Sequence, residues 1–228
     1  MIPTYAEVKT QAASVGLAAC GALHLCAADG VPATRAGPAT TLVLLGFEGS
    51  RQWPAFASSP EAHDGAAHAL DRWSRRIIDD LARRFDALAL YPFKGPPWWP
   101  FQQWARRALR LEASPLGMLM HPRLGTWHAW RGALALAPLL DIPAAFSTPH
   151  PCARCDAKPC LFACPVQAVT PAGVDLPRCQ SHLRSPEGAT CRERGCLARA
   201  ACPVGVEHRY EPPQLRFHMD AYVRAITR

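Results

Sequence analysis

Apolar and polar positions alternate along the first 140 or so residues in two rhythms, one helical and one extended. Residues 5–18 (YAEVKTQAASVGLA) set apolar side chains at helical intervals, which predicts an amphipathic opening helix that ends near Gly21. TTLVLLGF, residues 40–47, is a short β-branched and leucine run bounded by glycine, the signature of a buried strand. Over residues 60–84, Ala66, Leu70, Trp73, Ile77 and Leu81 fall at helical spacing among charged residues and predict a surface helix. DALALYPF (86–93) reads as a second strand, and a further helix is expected from Phe101 to Leu111. LGMLMHP (116–122) and WHAWRGALALAP (127–138) read as two more strands joined by a turn at Gly125. The Pro-rich stretch 141–151 then breaks the pattern. These strands are not separated by regular crossover helices, so the front is α+β rather than a doubly wound sheet. It carries neither a G-x-G-x-x-G turn nor a G-x-x-x-x-G-K-[ST] phosphate loop.

Past the break, polarity stops being informative and cysteine takes over. Eight of the ten cysteines lie between Cys152 and Cys202. The first group is C-x2-C-x4-C-x3-C-P through Cys152, Cys155, Cys160 and Cys164; the second is Cys179, Cys191, Cys196 and Cys202, ending again in Cys-Pro. Four thiolates hold one cubane [4Fe–4S] cluster, and in two-cluster ferredoxins the cysteine before the proline serves the other cluster. The expected partition is therefore Cys152, Cys155, Cys160 and Cys202 on one cluster and Cys164, Cys179, Cys191 and Cys196 on the second. A zinc ribbon would use paired Cys-x2-Cys knuckles, of which there is one here, and a disulfide scaffold would need an oxidising compartment. His182 and His208 are candidates for hydrogen bonding around a cluster rather than for ligation. The tail RYEPPQLRFHMDAYVRAI predicts a final helix over this module.

Domain limits follow: residues 1–145 as an α+β domain, and 146–228 as a di-cluster ferredoxin-like domain with a C-terminal helix. The formal charge of +7 rests on arginine, since only Lys9, Lys94 and Lys158 are lysines. The arginines are scattered and form no long basic run, so the charge marks a nucleic-acid surface only weakly. Ala12–Ala28 is apolar but interrupted by His24, too broken to span a bilayer and a poor signal peptide. Reduced thiolates point to the cytoplasm. Cys20 and Cys26 stand outside the cysteine block, and packing is the plain reading of both.

LGMLMHPRLGTWHAWRGALALAPLLDIP (116–143) resembles the signature of CblC-type cobalamin-processing proteins through His121, Pro122, Arg123, Gly125, Trp127, Arg131 and Gly132. That resemblance spans roughly residues 37–143 and implies a nitroreductase/CblC-like cobalamin-binding domain. The cysteine block resembles epoxyqueuosine reductase, which joins a related domain to a bacterial-type two-cluster ferredoxin module. RCQSHL at 178–183, Cys202-Pro203, the SVGLAACG end of the opening helix and QWARRALRLEASPLG carry it. The chain thus resembles a hybrid of the two families. It departs from epoxyqueuosine reductases in one place: KGPPWWPFQQ, before Trp104-Ala105, holds no Asp or Glu where they carry an acidic proton donor.

The hybrid resemblance implies an iron–sulfur reductase that passes electrons from an external low-potential donor to a base-off cobalamin, either to process the cobalamin or to reduce a small-molecule substrate. A tRNA substrate is disfavoured by the absent acid. His121 is the expected catalytic residue, as a proton source or hydrogen-bond donor at the corrin, set against a histidine that only holds a strand end. Arg123 and Arg131 suit the corrin periphery. Gly125, Trp127, Trp98 and Trp99 complete the expected lining, although Trp127 serves equally as core. A ferredoxin-type electron carrier without cobalamin and a flavin-dependent reductase are the alternatives.

Overall fold

The computed structural model describes residues 2–227, which divide into two compact units, one of residues up to 110 with 128–147 and one of residues 111–127 with those from 148 onward. The chain finally leaves the first unit after Ser147, and it makes one earlier excursion. Leu111–Trp127 belongs with the cysteine-bearing unit.

The first unit opens on α1 (Tyr5–Ser14). Thr4 and Glu7 form a capping box, with the Thr4 hydroxyl accepting from the Glu7 amide and the Glu7 carboxylate accepting from the Thr4 amide at 2.7 Å. The helix stops earlier than its apolar pattern suggests. Gly16 takes φ +83°, and Ala18–His24 then forms strand β1, which pairs antiparallel with β2 (Thr41–Glu48). Small residues with no clear period left that segment undecided until a strand edge was available to pair with.

Two short helices, α2 (Trp53–Ala57) and α3 (Pro60–His63), precede α4 (Ala69–Arg84). The single helix expected over 60–84 is therefore broken, at Gly65 and His68, both with positive φ. Along α4, Leu70, Trp73, Ser74, Ile78, Leu81 and Ala82 are buried, while Ile77 lies off the stripe. Strand β3 is only Leu88–Leu90, and α5 (Phe101–Leu109) follows the proline loop. The next two strands, β4 (Glu112–Ala113) and β5 (Leu119–Met120), belong to the second unit, and β6 (His128–Leu136) returns to the first. The strand expected over 116–122 is thus reduced to two residues, because His121–Gly125 closes into a tight turn.

The sheet order is β1-β2-β6-β3, with every neighbouring pair antiparallel. Seven of the eight residues of β2 are buried, so both faces of this central strand are covered and the run reads as continuously apolar. Helix α4 packs on β6 and β3, and α1 and α5 pack on β1. Phe47, Phe56 and Trp73 form the aromatic heart, with ring centroids 5.8 and 5.9 Å from Trp73. Asp29, from a loop after β1, anchors α5: its carboxylate accepts from Trp104 Nε1 at 2.9 Å and pairs with Arg107.

The second unit is a set of short turns and helices around the cysteines. Single 3-10 turns at Pro151–Arg154 and Pro159–Leu161 carry the first group. A two-residue hairpin, β7 (Val169–Thr170) with β8 (Gly173–Val174), leads into α6 (Leu176–Arg184), where Asp175 accepts from the Arg178 amide at 3.0 Å. The second group has Cys179 on α6 and Cys191 on α7 (Ala189–Arg194), while Cys196 and Cys202 flank α8 (Leu197–Ala200). The tail forms α9 (Pro212–Ile226), which packs on α7. Among the described residues, no helix is long and apolar enough to cross a membrane.

Candidate metal centre

The cysteines fall into two groups of four that cross the sequence order. Burial pushes the Cys152 thiol up to about 11, and the thiols of Cys202, Cys160 and Cys155 push it the same way. Cys160 is raised by burial first, then by Cys202 and Cys155. In the other group, burial raises Cys179, and Cys196, Cys164 and Cys191 add to it. Cys191 is raised by burial and by Cys196 and Cys164. Cys152, Cys155, Cys160 and Cys202 are thus mutual neighbours, as are Cys164, Cys179, Cys191 and Cys196.

The first quartet lines a recess holding about 420 Å³ of empty space, open in part to solvent. Its other walls include Ser114, Pro115, Leu116 and Met120 from the Leu111–Trp127 excursion, with Pro203 and Val204. In the second quartet Cys179 lies on α6, Cys191 on α7 and Cys196 at the N-cap of α8, while Cys164 comes from the irregular chain before β7; Cys191 is buried and Cys196 exposed. There the Ala168 amide donates to Cys164 Sγ at 3.3 Å, the kind of N–H···S bond that tunes an iron–sulfur centre.

Four cysteine sulfurs around one recess are the donor set that a cubane iron–sulfur cluster takes. Four thiolates gathered without a cation repel one another, and a cationic iron–sulfur core turns that repulsion into bonding.

Two basic residues to which the sequence assigned no site role bear on the quartets. Lys158, on the rim of the first recess, acts electrostatically to lower the Cys152 thiol, and Arg192 does the same for Cys191. Arg192 is pinned, donating to the carbonyls of Leu183 and Ser185 at 2.8 and 2.7 Å. Lys158 stands exposed in a left-handed backbone conformation, φ +38°. Their position directly beside ligand-type cysteines was the signal available in the sequence.

The residues expected to line a corrin are divided between the units. His121 is 6% exposed, and its Nδ1 accepts from the backbone amides of Arg123 and Leu124 at 3.1 and 3.0 Å. The imidazole proton therefore sits on Nε2. Trp127 is buried against Tyr210 and under the Arg199 guanidinium, 4.0 Å from its ring. Arg123 is exposed. In the first unit, the Arg131 guanidinium pairs with Asp71, donates to Ser74 Oγ at 3.0 Å and lies over Phe93. Trp99 stacks on Trp104 at 5.8 Å, and Trp98 is 64% exposed. Only Arg123 and Trp98 offer largely solvent-facing side chains. Within their own units His121, Trp127, Arg131 and Trp99 are engaged by other protein groups.

Comparison with solved structures finds two that are similar to this chain. The chain is similar to epoxyqueuosine reductase in complex with an epoxyqueuosine-modified tRNA-Tyr stem loop: 16% identity, TM-score 0.51, covering 92% of this chain and 68% of that one. It also matches epoxyqueuosine reductase from Bacillus subtilis at 17% identity and TM-score 0.43, over 78% of this chain and 52% of that one. At 16% identity the likeness to the first is one of fold. No protein-family model matches the chain, and no curated protein matches it in sequence.

Proposed function

We propose that this chain is an iron–sulfur reductase built on an epoxyqueuosine-reductase-like fold. Cys152, Cys155, Cys160 and Cys202 would hold one [4Fe–4S] cluster, and Cys164, Cys179, Cys191 and Cys196 the other. Such clusters supply single electrons at low potential. The observation that carries the reading is the crossed pairing, in which Cys202 joins the first group and Cys164 joins the second. A zinc knuckle or a packing cysteine has no reason to cross over; the two-cluster ferredoxin arrangement does.

The chain's own part is to gather the thiolates, shield the first quartet with Pro115, Leu116 and Met120, and place a positive charge beside each quartet through Lys158 and Arg192. The electron donor is an external low-potential carrier. Two acceptors are open to this reading. Cobalamin rests on the resemblance of the HPRLGTWHAWRG stretch, and a tRNA-borne substrate rests on the fold of epoxyqueuosine reductase.

Anaerobic purification with iron and sulfide assay tests the reading. About eight irons per chain, in two electron-paramagnetic signals after dithionite, is the expected result. Stoichiometric zinc, or fully oxidised thiols, would overturn it. Titration of the same sample with hydroxocobalamin, and with an epoxyqueuosine-bearing stem loop, assigns the acceptor. A saturable base-off shift supports the first, and product formation the second.

A further inference from the structure

The stretch that most resembles a cobalamin signature lies in the cysteine-bearing unit, and its contacts lead to one cysteine. His121 and Gly125 exchange backbone hydrogen bonds at 2.8 and 2.9 Å, closing a narrow turn. Inside it, His121 Nδ1 accepts from the amides of Arg123 and Leu124, two donors that the turn itself leaves unpaired. The turn then meets the Cys202-Pro203-Val204-Gly205 segment backbone to backbone. A Cβ on Gly125 would stand 2.2 Å from the Val204 carbonyl oxygen, and one on Gly205 would stand 2.4 Å from the Leu124 carbonyl. Both glycines also have positive φ, so each is required twice, for conformation and for approach.

The same turn holds the chain on the other side of Cys202. Arg199 donates through Nη2 to the Thr126 carbonyl at 2.6 Å and through Nε to Thr126 Oγ1 at 3.3 Å, with its guanidinium over Trp127 and Tyr210. The Arg199 carbonyl in turn accepts from the Cys202 amide at 3.2 Å. Cys202 is therefore gripped three residues before and two to three residues after by one turn that His121 shapes. Cys152, Cys155 and Cys160 are close in sequence and come together locally; Cys202 is not.

We propose that His121 is a positioning residue for Cys202, setting the fourth thiolate of the first quartet, a role that rests on the two-cluster reading above. The imidazole acts as a rigid amide acceptor, not as an acid or base. An asparagine can do the same work, because its side-chain oxygen reaches the amides two and three residues on.

The test compares His121→Ala, His121→Asn and Gly205→Ala in anaerobically prepared full-length protein, by iron content and by potentiometric electron paramagnetic resonance. H121A and G205A should lose about half the iron, with the first cluster's signal gone or shifted in potential and the second unchanged; H121N should retain both. The surviving second signal reports that the chain has folded. Both clusters intact at wild-type potentials in H121A, or one lost as completely in H121N as in H121A, would overturn the proposal. Should H121A lose both clusters, H121N and G205A decide: both clusters kept in H121N with selective loss of the first in G205A sustains the proposal, and any other pattern overturns it. Wild-type protein with no clusters would instead sink the two-cluster reading itself.

Discussion

Cys202 joins the first quartet from 42 residues beyond Cys160, whereas Cys164 joins the second from 15 residues before Cys179. The two quartets solve this difference with different materials. The first has Cys152 and Cys160 on short 3-10 turns and Cys155 just past one, and takes its far member from a segment braced by the His121–Trp127 turn. The second has Cys179 on α6 and Cys191 on α7, with α9 behind them, Cys196 at the α8 N-cap and Cys164 on irregular chain, and its Gly195 leaves room for Leu215 of α9. A helix orders its own ligands through local hydrogen bonds; a loop ligand must be placed by tertiary contact. The first quartet is consequently the one that depends on chain far away in sequence, and the second is the one with an exposed member, Cys196.

The sharpest way to break this comparison is to remove the crossing members. Cys202→Ser and Cys164→Ser should each lose about half the iron but abolish different paramagnetic signals. If the same signal disappears in both, the crossed assignment fails. A smaller effect is expected from Arg199→Met, which removes a charged hydrogen bond and a stacked guanidinium beneath Trp127. It should cost about 2 kcal/mol, lowering Tm by roughly 4–8 °C in a chain of this size, and the first cluster should be lost before the second on mild oxygen exposure. Equal lability of the two would show that the brace is not specific.

The first unit supplies a control with a different pH response. The Arg76 guanidinium, by hydrogen bonding, holds Glu61 down to about 2. A carboxyl depressed on folding contributes stability above its unfolded value, and loses it as pH falls through the folded one. Acid unfolding monitored by first-unit tryptophan fluorescence should therefore carry a contribution on the order of 1 kcal/mol that fades between about pH 5 and pH 2. That contribution should be absent from Glu61→Gln. The figure is kept small because Arg76 is 47% exposed and solvent screens the pair. The smallest effect belongs to Lys158→Gln. Removing a positive charge beside Cys152 disfavours the reduced, more negative cluster, so the first potential should fall by tens of millivolts or so while the second stays put. A matching shift in the second would deny Lys158 its local role.

Much of this was legible along the chain. The β2 run, the α4 stripe around Trp73 and the cysteine spacing with its two Cys-Pro ends all carry local signals. β1 was not legible, because Ala18–His24 has no period of its own and became a strand only by pairing with β2. Nor was the role of HPRLGTW. It reads as a strand end with a reactive histidine; the structure makes it a buried turn whose imidazole accepts two amides, packed on Val204 and Gly205. Arg131 and Trp127, attractive as ligand contacts, are engaged by Asp71 and by Arg199.

By itself the sequence determined which residues can donate thiolate, that they number enough for two clusters, and that a mixed α/β front precedes them. Those properties are local: residue chemistry, spacing and period. Tertiary structure alone decided that Leu111–Trp127 leaves the first unit to wall the first recess, and that Arg199 and two glycines join that segment to Cys202. Such contacts bring together residues some 80 positions apart, where neither periodicity nor spacing reaches, and they are settled by backbone approach and hydrogen-bond pairing in the folded chain.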